Sequence, residues 1–416
     1  MDYRTKNKSG NRRKFVLIVV AVLSISAIPA YLALSAGHGG STQASSALQA
    51  STPSVTGKSK ADAIISLAAT GDWIAHDTIN AQAKQRDGSY DYSSMVADLK
   101  PYFQRSDIRF CNDPILNGGA VSAVTGYPKF NSPPDFVTSM GSFGCNLVNT
   151  ASNHSFDYSQ ANITASFDAW KRVPNTLAVA GENSSASEHD AVHYFTIKGV
   201  KFAFLAYTSY INSDAPVQND YGVNVFTTSF AGDQIREAKQ RGAQVIIASM
   251  RWGTEFSTNV NDKQQRDAQW LADQGVQLVL GHGSHELQPV QQLTGTNGNK
   301  TLVWYSLGNF LNTQIPAETL FNGIAYMTVN PKSFEVSVTG YLPVYVHYEW
   351  SAADAAAENI NQRSNVHMYL LDDVTQARID SGQLKTTVLA QRQRMFNTLD
   401  SKGLNVFLLT KSNALH

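Results

Sequence analysis

The sequence is short of charge and nearly devoid of cysteine. Charged residues fill 16% of its 416 positions, against roughly 25% in an average globular protein, so Ser, Thr, Asn and Gln must wet much of the surface. Its 33 Lys and Arg balance 33 Asp and Glu. With no basic excess to neutralise phosphates, the composition argues against a general nucleic-acid binder. Two cysteines, Cys111 and Cys145, rule out a disulfide scaffold and a four-cysteine zinc site, and they read as buried thiols near strand ends, with a bond between them the alternative in an exported protein. No internal repeat is evident. What is present is 43% apolar residues, enough for a real core.

The apolar residues begin with a targeting signal. Arg4, Lys6, Lys8, Arg12, Arg13 and Lys14 face a single acid, Asp2, in residues 1–14, and an uncharged apolar stretch runs from Phe15 to Ala36. At about 1.5 Å per residue this stretch can span a hydrocarbon core about 30 Å thick, and the basic tail stays cytoplasmic. A single-pass membrane anchor is expected, with the rest of the chain exported; the rival reading is a signal peptide cleaved near Ala33-Leu34-Ser35. Residues 37–60, rich in Gly, Ser, Thr and Ala, read as a flexible linker.

From residue 61 short apolar runs alternate with amphipathic stretches, the pattern of a layered α/β domain, expected over 61–345. Strands are predicted over residues 64–70, 107–112, 145–150, 244–249 and 276–280. A hairpin is predicted to turn through Lys198-Gly199. Beyond residue 346, Ala, Asp, Gln and Arg at helical spacing predict a helical C-terminal extension on the domain's flank.

Polar side chains recur where the apolar runs end, which is where an open α/β sheet presents its ligand crevice. The first run leads into Gly71-Asp72 with His76 beyond, the second ends in Cys111-Asn112-Asp113, and the third in Ala151-Ser152-Asn153-His154 with Asp157 behind. Two later runs end in Arg251-Trp252-Gly253-Thr254-Glu255 and Gly281-His282-Gly283-Ser284-His285. Singly each is weak, since Gly-Asp after a strand is more often a turn or a cap. His282 and His285 are stronger, because glycine lets the backbone turn both imidazoles onto one point. Together the set is carboxylate, amide oxygen and imidazole without thiolate, which suits Mn, Fe, Zn or Mg.

In this order the blocks resemble the bacterial CapA proteins of poly-γ-glutamate capsule synthesis, which are similar in fold to calcineurin-like metallophosphatases. The resemblance runs from about Leu67 to Phe310 and takes in Gly126-Tyr127-Pro128, Phe130-Asn131-Ser132-Pro133 and Tyr305-Ser306-Leu307-Gly308-Asn309-Phe310. It implies a metallophosphatase-like α/β sandwich with one or two divalent ions. Asp72 becomes a metal ligand, joined by His76; Asn153 offers an amide oxygen to a second ion, and His282 and His285 complete the cage. His154, with Asp157 behind it, becomes the acid over the leaving group. Two ions about 3.5 to 4 Å apart would clamp a phosphate-like group and activate water.

Two positions depart from the family's pattern. Where the family has Asn-x-Glu, this chain has Asn112-Asp113-Pro114, so Asp113 supplies the bridging carboxylate from a shifted position or the carboxylate is missing, and Asn112 is left to substrate. Where the family has His-Trp-Gly, this chain has Arg251-Trp252-Gly253. A guanidinium cannot ligate a metal; Arg251 is expected to hold an anionic substrate by a bidentate fork. Glu255 orients it, acts as a base, or caps a local turn. Asn309 is expected to close the crevice against neighbouring loops and substrate.

The resemblance implies an exported, membrane-tethered protein of capsule or envelope polymer synthesis or anchoring. Its activity would be that of a metal-dependent hydrolase, acting on a phosphoester or on an amide bond of an anionic polymer. The alternative is a degenerate module that binds the anionic polymer without catalysis. Expected partners are that polymer, the membrane through the N-terminal helix, and other capsule-synthesis membrane proteins, with no nucleic acid.

Overall fold

The computed structural model describes residues 63–212 and 221–414. The expected membrane segment and linker lie outside the described residues, and among those described no helix is long and apolar enough to cross a membrane. Strands β1 (Ile65–Asp72), β2 (Ile108–Asn112), β3 (Leu147–Asn149) and β4 (Ala178–Ala180) run parallel, side by side. The hairpin of β5 (His193–Ile197) and β6 (Val200–Thr208) starts a second sheet, turning through Lys198 and Gly199, both at positive φ. That sheet continues through parallel β7 (Val245–Arg251) and β8 (Leu278–His282) and ends with β9 (Val290–Thr294) paired to β10 (Lys300–Trp304). Strands β11 (Phe321–Val329), β12 (Val336–Glu349) and β13 (Ser364–Leu370) then return to the first sheet, antiparallel to one another. The orders are β13-β12-β11-β1-β2-β3-β4 and β5-β6-β7-β8-β10-β9.

Both faces of the central strands are covered, which is why they read as continuous apolar runs rather than alternating ones. Every residue of β7 is buried. Phe110 of β2 meets Phe204 of β6 edge to face at 6.2 Å, tying the sheets together in one core. Helices Thr228–Gln240 and Asp262–Asp273 lie between successive parallel strands of the second sheet. In the first sheet, helix Gln160–Lys171 starts at a reciprocal cap between Ser159 and Asn162 and buries Ile163, Phe167 and Trp170.

The strand register positions the polar residues. Asp72, Asn112 and Asn149 are neighbours across the ends of β1, β2 and β3, and Thr208, Arg251 and His282 across the ends of β6, β7 and β8. Because these strands are parallel, the loops that follow them carry Asn153, His154, Glu255 and His285 to the same edge.

Two expectations are corrected. Cys111 and Cys145 are not free thiols: they form a disulfide with Cα atoms 5.7 Å apart. Cys111 lies in β2 and Cys145 just before its neighbour β3, so strand pairing itself brings the thiols together. The C-terminal region is not helical throughout. Strand β12 runs through the expected boundary at 345, and β13 forms the edge of the first sheet, burying Val366, Met368 and Leu370 on alternate positions. Helices Gln376–Ser381 and Val388–Leu399 follow it.

Candidate active site

Asp72 forms the floor. Its carboxylate is buried; Oδ1 accepts from Asn112 Nδ2 at 2.7 Å, and Oδ2 stands 3.2 Å from His285 Nδ1. Asn149 Nδ2 in turn donates to Asn112 Oδ1 at 2.5 Å, so the amide of Asn112 is fixed with its donor toward Asp72. Burial alone would raise the Asp72 carboxyl, but the bond and charge of His285, with the Asn112 amide, outweigh it and hold the group ionised below the usual carboxylate range.

Three imidazoles surround this floor. His285 Nδ1 faces Asp72 Oδ2 and Asn309 Oδ1, at 3.0 Å from the latter. His154 Nδ1 lies 2.7 Å from Asp157 Oδ2, which also accepts the Phe130 N–H at 2.8 Å, and 3.4 Å from Asn212 Nδ2. His282 is fully buried and stacked on Phe110 at 5.3 Å. Ser249 Oγ engages its Nε2 at 3.0 Å, while Nδ1 has no hydrogen-bond partner and stands 3.8 Å from Asp72 Oδ1. Burial brings its pKa down to about 4, so the ring is neutral at physiological pH.

Arg251 is 2% exposed, and its guanidinium is already held. Nη1 donates to the Tyr210 hydroxyl at 2.6 Å, Nη2 to Glu255 at 2.9 Å, and the group sits 4.6 Å from the centre of the Tyr210 ring. Glu255 thus orients Arg251, and its Oε1 also lies 3.9 Å from His285 Nε2. Gly283 makes the packing possible: at φ 102, a Cβ there would come within 2.7 Å of Trp252 O and 3.1 Å of the guanidinium carbon.

A cleft of about 300 Å³ opens above these groups, lined by Asp72, His76, Asn153, His154, Arg251, Glu255 and His285. Its walls are largely apolar, and Ile360 and Arg363, from beyond the strand-end loops, also line it. His282, Asn112 and Asn309 lie behind the lining and position it; Asn309 also donates to Gln314 at 2.8 Å. His76 lines the cleft, but its Nδ1 is engaged by the backbone of Ile74 and Thr313, and burial lowers its pKa to about 3. Asn153 lines the cleft, with Oδ1 accepting from Ser152 Oγ and its amide donating to Asn212.

Asp113 does not belong to the cleft. The residue after the end of β2 turns its side chain inward, where Oδ2 accepts from Trp170 Nε1 and Asn117 Nδ2, each at 2.8 Å. Burial pushes its pKa up to about 7 and raises that of the nearby Glu182 well above the ordinary carboxylate range. Sequence reasoning missed Tyr210, Asn149, Ser249 and Arg363. The first three carry no motif; Arg363 lies in the region read as a helical appendage.

Among the described residues no three His, Cys, Asp or Glu side chains already stand as a metal cage. The donor chemistry fits a single divalent ion at Asp72. A buried His282 nitrogen without a partner points toward the carboxylate while Ser249 fixes the other ring nitrogen, the arrangement usual behind metal-bound imidazoles. A second ion lacks its carboxylate, because Asp113 is turned away, and its imidazole, because Arg251 stands in that place.

The site and its scaffold fall in a recognised class. Residues 66–314 match the family described as bacterial capsule synthesis protein PGA_cap; the match covers more than half of the chain, which belongs to this family. Among curated proteins it is similar to the PGA biosynthesis protein CapA of Bacillus subtilis (strain 168). The two are 23% identical over 342 residues, covering 81% of this chain and 85% of that one. The capsule biosynthesis protein CapA of Bacillus anthracis is also 23% identical, over 286 residues covering 61% of this chain and 66% of that one. Solved structures with distant likeness include the Haemophilus influenzae NAD nucleotidase (NadN), with TM-score 0.44 and 13% identity over 68% of this chain and 50% of that one. Another is the calcineurin-like phosphoesterase YfkN of Bacillus subtilis, with TM-score 0.38 and 16% identity over 67% and 89%.

Proposed function

We propose that the chain works at the cell envelope in the synthesis or anchoring of an anionic capsule-type polymer, and that its cleft is the active site of a metal-dependent hydrolase. The observation that carries this reading is the convergence on one cleft of two carboxylate-oriented imidazoles, Asp72–His285 and Asp157–His154, with the buried Arg251. The names of the two Bacillus relatives point to capsule polymer. Export through the N-terminal segment agrees with the Cys111–Cys145 bond, since disulfides persist in oxidising compartments.

Asp72, His282 and His285 would hold the ion, for which carboxylate and imidazole accept Mn, Fe, Zn or Mg. Bound there, a divalent ion supplies Lewis-acid polarisation of a phosphoryl or carbonyl oxygen. The remaining work falls to side chains. His154, oriented by Asp157, gives or takes a proton at the leaving group through Nε2. Arg251, held by Tyr210 and Glu255, sets a fixed positive charge beside the anionic head. Asn112 and Asn309 keep Asp72 and His285 in place. The substrate is a phosphoester or an amide bond of an anionic polymer such as poly-γ-glutamate, and the membrane and other capsule-synthesis membrane proteins are the partners.

The test compares the purified chain with a His282→Ala, His285→Ala double variant for bound metal and for hydrolysis of phosphoesters and γ-glutamyl amides. A bound ion and an activity that disappear together in the variant support the reading. A folded wild type that stays empty in added Mn, Zn or Fe removes it and leaves a polymer-binding module.

A further inference from the structure

Resting on the cleft as a ligand site, we propose that its ligand is an amphiphilic oxyanion: one phosphate or carboxylate head carrying an apolar arm. Three separate loops each leave one large apolar side chain exposed at the mouth, Tyr127 at 70%, Phe256 at 49% and Ile315 at 52%. Scattered exposed apolar residues need no explanation, but three around one opening form the kind of patch that marks a binding site. Below them Phe130, Ile74 and Ile115 carry the apolar wall down to the charged floor.

Phe256 is displayed at a cost. Its φ of 56° lies in the left-handed region, a strained choice for a residue other than glycine, and its N–H is held there by Ser284 O at 2.8 Å. The result is a ring 5.6 Å from the ring of His285, itself at φ 62°. Strain maintained beside a reactive imidazole in order to expose an aromatic ring to solvent indicates something that covers the ring.

The volume limits what that is. About 300 Å³ is the low end for small-molecule sites, which suits one head and one arm. Among the substrates proposed above, a wholly hydrophilic polyanion would satisfy Arg251 and leave the mouth wet and apolar, so this inference narrows them to anions that carry an apolar arm. An anion with an apolar arm satisfies both, its head at Arg251 and His285 and its arm between Tyr127, Phe256 and Ile315.

Calorimetric binding to the full chain tests this with inorganic phosphate, hexyl phosphate, acetate and hexanoate. Each six-carbon probe is expected to bind about tenfold or more tighter than its short counterpart, at about threefold to fourfold per buried methylene; the tighter of the two six-carbon probes identifies the head. Phe256→Gly, which the left-handed backbone accepts, and Ile315→Ser, at an exposed position, are expected to reduce that gain to under about threefold. Equal binding of short and long probes, or a gain that survives both substitutions, overturns this inference and leaves the proposed function standing. Failure of every probe to bind overturns both.

Discussion

His282 turns Nδ1 toward Asp72 Oδ1 across 3.8 Å, and among the described residues no group hydrogen-bonds that nitrogen. Leaving a buried imidazole nitrogen unsatisfied costs stability unless something else occupies the gap. Ser249→Ala is therefore expected to weaken binding of a divalent ion about tenfold to a hundredfold, by freeing the ring that Ser249 orients, and His282→Ala to weaken it further. Metal titration of the apo-chain checks the order; equal affinity in all three proteins would remove His282 from the ligand set.

A second prediction concerns the acids behind the site. Folding raises Asp113 to about 7 and Glu182 well above its ordinary value, in both cases chiefly by burial. Above about pH 4, where the carboxylates of the unfolded chain ionise, the folded chain holds more protons than the unfolded one, so stability falls as pH rises. The Asp113 contribution is lost by about pH 7, and that of Glu182 has the same sign. Asp113→Asn keeps an acceptor for Trp170 and Asn117 and removes one ionisation. It is expected to gain on the order of 1–3 kcal/mol at pH 8 and to flatten the decline between pH 4 and 7. Urea midpoints at pH 5 and 8 decide this, and a loss of stability at pH 8 would contradict it.

The disulfide predicts a dependence on redox state. Cys111 and Cys145 are 34 residues apart in sequence, and closing a loop of that length removes about 3–4 kcal/mol of unfolded-state entropy. Cys145→Ser is expected to lower stability by about that amount. Urea unfolding of the wild type in the presence of a reductant should shift toward the variant's curve; coincidence of the wild-type curves with and without reductant would argue that the bond contributes nothing.

Asp157→Asn tests the proton-transfer role of His154. The amide still accepts the Phe130 N–H, so the loop is retained, but the support for the protonated imidazole is lost. With a substrate whose leaving group needs protonation, kcat is expected to fall about a hundredfold or more with bound metal unchanged. A leaving group that needs no protonation should be nearly insensitive to the change; equal losses for good and poor leaving groups would assign Asp157 a structural role only.

Arg251→Gln is expected to raise KM for an anionic substrate about tenfold or more while leaving the metal content intact. Tyr210→Phe, which keeps the ring over the guanidinium and removes one bond, should show a smaller rise in the same direction. Unchanged KM in both variants would place the anion elsewhere.

Much of the fold was legible because parallel strands buried on both faces leave unbroken apolar runs. Strands β1, β2, β7 and β8 all fall where such runs predict them, and their polar ends mark the cleft. Three features were hidden for physical reasons. Strand β13 alternates Val366, Met368 and Leu370 with polar residues, a period easily lost among helix-forming neighbours. The disulfide depends on β2 lying beside β3, which composition does not reveal. Asp113 was drawn into the metal set by its place after Asn112, yet a residue just past a strand end faces the interior as readily as the crevice, and Trp170 and Asn117 supply the partners that hold it there.

The far wall of the cleft has a different history in the chain from its floor. Asp72, His282, His285 and Arg251 all fall inside the stretch shared across the family, whereas Ile315, Ile360 and Arg363 lie beyond residue 314. Arg363 is fastened by its bonds to Thr313 O and Ile360 O, so the late segment is clamped directly onto the shared one. The cleft is thereby completed by side chains from two stretches of one polypeptide, one inside residues 66–314 and one beyond them.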